Sequence, residues 1–565
     1  MKRLCYDIEA DGLAHPELDK KGNPIPTVSL IHCIAVQDVD TGQCWAFPPH
    51  LVPEAVDLLN SADILIGHNI IDYDNRVLSR LLPGFQPKGV IDTLIVGRLM
   101  YPDRTQLPEG LHGHSLKAWA QFVGDYKMDY DGGWEQYSEE MMEYCQQDVA
   151  ANVSIFKAQE QWLNDHADLV ALEQQVAAIC VDMAECGFGF DEPAAEELLL
   201  RLSTEKCKIT DQLRDIFPDI VEERWSDKTG KRLKDKVTVF NPGSSQQWAD
   251  RLGDKYRWRP KRTDSDNPIV DEATLKQLDF PEAKLGLRYR DLNKKIGMVS
   301  DWLNRSDGSG CVRGRTNSQG TATGRASHSQ PNLAQVPSDP ECRRLFGPLN
   351  RDWVQVGCDL SGIELRCLAH YMHRYDKGAY ADVILNGDIH TMNQEAAGLP
   401  TRADAKTFIY ALIYGAGDAK IGKIVGGNAK DGAGLRANFF QKIPALERLI
   451  KDAQFRAKKT GQLRLLDGRV VPVRSDYKAL NTLLQGAGAV ISKYWLIEAR
   501  NRLCQTEHNM MAWVHDEIQV MCPTSLGDVI GQSLVDASLA AGQKLRFNMP
   551  VDAEYQIGKN WSETH

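Results

Sequence analysis

Residues 356–372 read VGCDLSGIELRCLAHYM, and residues 399–417 read LPTRADAKTFIYALIYGAG. Ahead of and within the first, Val354, Val356 and Cys358 alternate as in a strand and deliver Asp359 to its end, before a Ser-Gly turn and a helical run from Glu364. An acid so placed is expected to be exposed and fixed. In the second stretch, Thr401 and Asp404 suggest a capping box, and Gly415 and Gly417 mark the far end of a helix. Arg402, Lys406, Tyr410 and Tyr414 recur every four residues, so two cations and two phenols form one slowly drifting stripe along that helix. Such a stripe could hold a triphosphate at one end and a base at the other. Taken singly, the same residues fit an ordinary salt-bridged surface helix with half-buried aromatics.

A third stretch, MMAWVHDEIQVMC at 510–522, sets His515, Asp516 and Glu517 between two apolar runs, which predicts a hairpin with acids at its tip. Asp359 at a strand end and Asp516 in a turn could together hold two divalent metals about 4 Å apart, as in nucleotidyl transfer. The three stretches resemble motifs A, B and C of family A (Pol I-like) DNA polymerases, most closely the replicative type of T-seven-like short-tailed phages.

That resemblance implies a template-directed enzyme that adds dNTPs to a primer 3′ end, with two Mg2+ per active site and Mn2+ able to replace them. It assigns Asp359 and Asp516 to both metals, with the carbonyl of Leu360 completing one site and Glu517 as a supporting acid. Arg402 and His390, the latter from NGDIHTMNQ, take the distal phosphates, and Lys406 stabilises charge on the transferred group. Tyr410, Glu364 and Tyr414 shape the sugar pocket. Thr323, Gly324 and Arg325, with Asn332 and Gln335, lie along primer and template, Arg325 touching minor-groove acceptors common to all base pairs. Gln485 and His515 fall near the primer-template junction.

The opening LCYDIEADGL reads as a strand whose period of two puts Asp7 and Glu9 on one face, opposite Tyr6 and Ile8. ADILIGHNIIDYDNRVL is an apolar strand leading to a helix start, with Asp72 and Asp74 as candidate ligands, and Tyr144 and Asp148 stand one turn apart in SEEMMEYCQQDVAANV. Each has a dull explanation alone. In this order they resemble the DEDDy 3′-5′ exonuclease, carried by Asp7, Glu9, Asp74, Tyr144 and Asp148; Asn69 and Tyr73 favour Asp74 over Asp72. The resemblance implies two metals held by the four acids, water oriented by Tyr144, and Asp92 in support.

The net charge of -11 argues against nucleic-acid binding only if charge is uniform. Basic residues gather at Arg224 to Lys236, at Arg313 to Arg344 and at Arg456 to Lys478, which suggests an acidic body with basic grooves. The thirteen cysteines lack any CxxC pair and read as reduced thiols. No signal peptide and no apolar run long enough for a bilayer is found, so a soluble intracellular protein without membrane contact is expected, and the resemblance implies the cytoplasm of an infected bacterial host.

The expected architecture is multidomain α/β and α+β: an RNase H-like (DnaQ-type) exonuclease in 1–165, connecting helices, thumb and start of palm in 166–345, and a palm in 346–565 with fingers over about 390–480. Gly187 and Gly189 break a largely helical region, and GGNAKDGAG at 426–434 has the composition of a mobile loop. ERWSDKTGKRLKDKVTVFN reads as a basic turn between extended arms, so Lys231, Arg232 and Lys234 are expected on duplex phosphates. That turn is expected to be too small, and to lack an apolar face, for thioredoxin. Partners are primer-template and single-stranded DNA, dNTPs, a phage helicase-primase and a single-strand binding protein, around a monomer. No 5′-nuclease domain is expected. Two other readings are a single-subunit RNA polymerase, disfavoured by Glu364, and an exonuclease with a polymerase-derived DNA-binding module.

Overall fold

The computed structural model describes residues 1–14, 17–18, 24–125, 129–306, 308 and 310–565. These fall into two compact units: 1–189 with 311–335 and 346–565, and 190–310 with 336–345. None of the described helices is long and apolar enough to cross a membrane.

The amino-terminal part of the first unit is a five-stranded sheet, ordered β3-β2-β1-β4-β5. Its strands are β1 (Arg3–Ala10), β2 (Ile31–Asp38), β3 (Cys44–Phe47), β4 (Ile64–Gly67) and β5 (Val90–Asp92). β1 pairs antiparallel with β2 and parallel with β4. Alternation along β1 explains its place. Leu4, Tyr6 and Ile8 enter one core with Val77 and Leu78 of α1 (Asp74–Leu81), while Cys5 enters another with Met141, Cys145 and Val149 of α3 (Glu139–Asp165). Asp7 and Glu9 share the second face and so look towards α3. Between them in sequence, α2 (Thr93–Met100) is capped by Asp92, and α4 (Ala167–Cys186) follows α3.

In the second unit, α5 (Glu192–Ile216) packs on α6 (Pro281–Arg305), and β6 (Ile220–Trp225) with β7 (Arg232–Thr238) forms a separate two-stranded ribbon. Extended arms around the KTGK turn are therefore present. The turn was expected to lack an apolar face, but the arms on either side of it carry one. Val221 and Val237 face each other across the ribbon at 59% and 53% exposure, and Trp225 on the same side of β6 is 58% exposed. Alternation in IVEERW puts Val221 and Trp225 on one side, where both remain exposed.

The carboxy-terminal part of the first unit is a four-stranded antiparallel sheet ordered β9-β10-β8-β11. Here β8 is Trp353–Leu360, β9 Asn509–Val514, β10 Glu517–Pro523 and β11 Ala553–Gly558. The same part of the chain carries α7 (Ile363–Asp376), α8 (Arg402–Ile413), α9 (Ala429–Lys442), α10 (Ala479–Leu503) and α11 (Gly527–Lys544), of which α11 packs on the sheet. The indole N–H of Trp495 on α10 donates to Leu534 O on α11 at 2.8 Å, joining the two long helices.

Residues 426–434 correct the expectation of a mobile loop. Asn428 and Asp431 form a reciprocal capping box that starts α9. The glycines serve close approach: a Cβ on Gly432 would stand 1.9 Å from Asp418 O, so only glycine lets α9 lie this near its neighbour. The Gly187 break is a helix end with φ +71, followed by a short strand at Phe188–Phe190 that pairs with Cys311–Val312.

Candidate functional site

β8 ends beside the turn that joins β9 to β10. The Leu360 N–H donates to Asp516 O at 2.9 Å, and Asp359 stands opposite Glu517 in register. His515 takes a left-handed φ of +58, closing the hairpin over His515 and Asp516. The turn is also held from α10: Ser492 Oγ donates to His515 O at 2.9 Å and receives the Trp513 indole N–H at 2.7 Å. Strand, hairpin and helix thus fix Asp516 and Asp359 against each other.

Asp359 is not exposed as its strand-end position suggested. Its Oδ1 is buried and has no hydrogen-bond partner among the described residues. Burial, then the charges of Asp516 and Glu517, push its pKa from 3.8 to about 7. Burial raises Asp516 as well. Two partly desolvated carboxylates that repel each other, one with an orphaned oxygen, fit a divalent-cation site of hard oxygen donors.

Glu517 is not at the hairpin tip. Because the turn takes only two residues, Glu517 is the first residue of β10, 5% exposed, and is engaged elsewhere. It accepts the Trp561 indole N–H at 2.7 Å and the Gln519 amide, and pairs with His565 Nδ1 at 2.9 Å.

On α8, Thr401 caps the helix by accepting from Asp404 N at 3.1 Å, while its hydroxyl donates to Asp404 Oδ2 at 2.7 Å. Arg402 at the first position donates to Asp388 Oδ2 at 2.7 Å. Asp388 also accepts from His390 N at 3.0 Å as cap of the helix Ile389–Ala397, so it sets Arg402 beside His390. This residue was missed from sequence; its capping position in NGDIHT was legible, but not its partner on the next helix. Hydrogen bonds from Arg402 and Thr391 hold its carboxyl well below the usual range. Burial, then Arg402, lower the pKa of His390. Lys406 is exposed and makes no ion pair among the described residues. At the far end of the stripe, Tyr410 and Tyr414 rings lie 6.5 Å apart, and the Tyr414 hydroxyl donates to Glu364 Oε1 at 2.7 Å. Arg325 Nη2 approaches the same carboxylate at 3.5 Å.

Arg325, Gln485 and His515 line a cleft of about 1330 Å³ with Thr323 and Gly324. Asn332 and Gln335 do not; they belong to the short turn at Leu333–Gln335, where Gln335 N donates to Asn332 O at 3.0 Å. Asn481, one turn before Gln485 on α10, lines the cleft and was missed. On the ribbon of the second unit, Lys231 precedes β7, which carries Arg232 and Lys234. Arg232 pairs with Asp235 at 3.2 Å and Glu223 at 3.6 Å, so the ribbon partly neutralises its own charge.

The second cluster of acids lies on the amino-terminal sheet. Ligand atoms of Asp7, Glu9 and Cys145 all fall within 4.8 Å of one another. Asp74 is 3% exposed and accepts from Ile8 N at 3.2 Å, between Asp7 and Glu9 in sequence. Burial, then Asp92 and Asp148 among the charges, raise its pKa from 3.8 to about 7. Asp72 instead pairs with Arg315 at 2.6 Å. Asp148 is buried on α3, one turn after Tyr144, whose ring lies 5.5 Å from Tyr130 and 6.3 Å from Trp134. Cys145 was missed, and only the face shared with Asp7 could have signalled it. Asp92 accepts from Asn69 N at 2.9 Å and Leu94 N at 3.0 Å, ordering the loop that leads to Asp74.

A sequence model of DNA polymerase family A matches residues 220–563. The DNA-directed DNA polymerase of Escherichia phage T7 is 30% identical over 715 residues, spanning the whole of both sequences. That of Enterobacteria phage T3 is likewise 30% identical over 718 residues, again in full. Among solved structures, the POL domain of Pol1 from M. smegmatis, in complex with DNA primer-template and dNTP, has a TM-score of 0.80. The match covers 99% of this chain and 96% of that one at 17% identity, a likeness of fold.

Proposed function

The chain belongs to DNA polymerase family A and is a DNA-directed DNA polymerase of the phage type, and from that premise we propose that it extends primers on phage template DNA by two-metal nucleotidyl transfer and proofreads with a 3′-5′ exonuclease. The observation that carries the first half is the pinned pair of Asp359 and Asp516, with the orphaned Asp359 Oδ1 between strand and turn. These carboxylates and the Leu360 carbonyl would hold two Mg2+. Bound there, such ions would supply Lewis-acid chemistry, favouring ionisation of the primer hydroxyl and offsetting phosphate charge.

The remaining work belongs to side chains. Arg402, steadied by Asp388, and His390 hold the distal phosphates, and Lys406, one turn further along α8, faces charge on the transferred group. Tyr414 and Glu364, already joined, fill the space a 2′-hydroxyl would need. Proofreading rests on the half-buried Asp7 and the buried Glu9, Asp74 and Asp148, with Tyr144 to orient water; these acids suit a second pair of divalent cations. The phage helicase-primase and single-strand binding protein are its working partners.

A primed template, four dNTPs and Mg2+ test this directly. The wild-type protein should extend the primer, and Asp359→Asn or Asp516→Asn should lose at least about a thousandfold in rate while remaining folded. Extension with ribonucleotides but not deoxynucleotides would instead support the RNA polymerase reading. No extension by the wild type with either set would overturn the polymerase mechanism.

A further inference from the structure

The loop that leads into α3 exposes an aromatic ring beside the amino-terminal acids. Trp134 is 41% exposed, and the rings of Tyr130 and Tyr144 meet it at 4.9 and 6.3 Å with interplanar angles of 65° and 74°. Both contacts are edge-on, so neither tyrosine lies flat on the indole. One exposed aromatic is ordinary by itself. What sets this one apart is where it is held.

Two ties bring it to the acids. Its neighbour Tyr144 precedes Cys145 on α3, and Cys145 carries a ligand atom within 4.8 Å of those of Asp7 and Glu9. From the other side, β2 takes an extra residue, His32, between the partners of Glu9 and Ala10. A bulge re-aims a side chain, and the buried His32 donates from Nε2 to Trp134 O at 2.9 Å. Within the loop the Tyr130 hydroxyl donates to Gly133 O at 3.0 Å, and Ser138 Oγ accepts from Met141 N at 3.1 Å to start α3. Backbone bonds, not cover over its ring, thus hold the indole in place. The chemistry of the loop selects an occupant. Residues 129–138 include Asp129, Asp131 and Glu135 but no lysine or arginine, so the loop repels phosphates. A nucleobase is uncharged and has a π-face that suits an indole whatever the sequence. Bases within a duplex are already stacked on one another, so the base that reaches Trp134 belongs to an unpaired strand.

We propose that Trp134 is a stacking platform for one of the two bases that flank the scissile phosphodiester of a single strand in the amino-terminal site. The proposal rests on the proofreading reading and deepens it by naming a residue that grips the strand through a base. Trp134 meets substrate but none of the reacting atoms, so it adds affinity and leaves the chemical step alone.

The test compares the full chain with Trp134→Ala and Trp134→Phe. On single-stranded oligonucleotides with Mg2+, Trp134→Ala should raise KM at least about fivefold, the lower end of what one stacked base contributes, and keep kcat within about twofold. Trp134→Phe should keep KM within about threefold of the wild type, since a ring remains. On a strand whose last two nucleotides lack their bases, wild type and Trp134→Ala should share one KM. With a chelator in place of metal, 2-aminopurine at the last or the second-last position should be quenched by the wild type at one of them and released from quenching by Trp134→Ala. An equal KM for wild type and Trp134→Ala on the ordinary strand overturns the proposal. So does a loss that persists on the baseless end, or a fall in kcat alone, either of which marks a structural effect, and so does quenching that Trp134→Ala leaves intact at both positions. A wild type that degrades no single strand overturns the proofreading reading instead, and the quenching then judges the stacking separately.

Discussion

The Tyr414 hydroxyl, at the end of α8, donates to Glu364 Oε1 on α7 at 2.7 Å, joining two residues fifty apart in sequence at the proposed sugar pocket. Tyr414 is 43% exposed, so its hydroxyl does not need this bond for stability. The pair instead occupies volume. Glu364→Ala should therefore raise ribonucleotide incorporation by about 10- to 100-fold relative to deoxynucleotide, the scale on which a pocket rejects one added hydroxyl. Single-nucleotide insertion kinetics with matched rNTP and dNTP check it; an unchanged ratio would show that the pair does not gate the sugar.

Tyr410 presents the complementary case. Its ring lies 6.5 Å from that of Tyr414, yet its hydroxyl makes no hydrogen bond among the described residues. A free hydroxyl at this place can stand in for a missing 3′-hydroxyl of the incoming nucleotide. The wild type should accept dideoxynucleotides readily, and Tyr410→Phe should discriminate against them by at least about tenfold, one lost hydrogen bond in a desolvated site. Equal termination by both proteins in a competition assay would refute this.

The placing of Tyr410 and Tyr414 one turn apart was legible in the sequence, because helical spacing alone sets it. Asp359 and Asp516 were legible too, since a strand end and a two-residue turn are local features. Burial was not: the exposed acid expected at 359 has a buried Oδ1, because strands on both sides and the turn of 516 close over it. Asp388 escaped for a similar reason, its partner Arg402 lying on the next helix. Glycine composition misled at 426–434, where Gly432 serves contact with Asp418 rather than mobility. The apolar side of the ribbon was present in the alternation of Val221 and Trp225, but charge around it drew the reading to the basic turn.

Asp7 and Glu9 lie on the amino-terminal sheet and Asp359 and Asp516 on the carboxy-terminal one, with no strand shared between the sheets. Asp7→Ala with Glu9→Ala should therefore abolish degradation of single-stranded DNA and leave primer extension within about twofold. The change removes one half-buried and one buried carboxylate without emptying the apolar core, so the fold should persist. Extension lost together with nuclease activity, in a protein with an unaltered melting transition, would refute two independent sites.

His370 gives a pH dependence with a definite sign. Its Nδ1 accepts the Asn548 N–H at 3.1 Å and its ring stacks on Phe547 at 4.4 Å, an arrangement that requires neutral imidazole. Burial, then His373, lower its pKa from 6.5 to about 4. Between those values the unfolded chain binds a proton that the folded chain does not. Its contribution is therefore complete above pH 6.5 and lost as pH falls to about 4. His370→Phe should flatten this part of the curve of melting temperature against pH, whatever its effect at neutral pH. Parallel curves for the two proteins across the window would contradict it.

The ribbon of β6 and β7 invites the last prediction. Its turn and second strand present Lys231, Arg232 and Lys234, but Arg232 already has Asp235 and Glu223 as neighbours, and Lys236 pairs with Glu222 at 3.1 Å. Lys231 and Lys234 make no ion pair among the described residues and are the freer cations. If the ribbon touches duplex phosphates, Lys231→Ala with Lys234→Ala should lower the salt slope of duplex binding by about 0.9 per lost contact. Arg232→Ala should lower it by less, because the arginine must first leave its own carboxylates. Products should shorten most at moderate salt, while insertion of a single nucleotide is unchanged. Val221, Trp225 and Val237 supply an exposed apolar strip, so the case against thioredoxin rests on size alone: a hairpin of two short strands is too small to form a separate clamp domain. Added thioredoxin is accordingly expected not to lengthen products in a single-hit assay. A marked lengthening that Trp225→Ala abolishes would make the apolar strip, rather than the basic turn, the working surface of the ribbon.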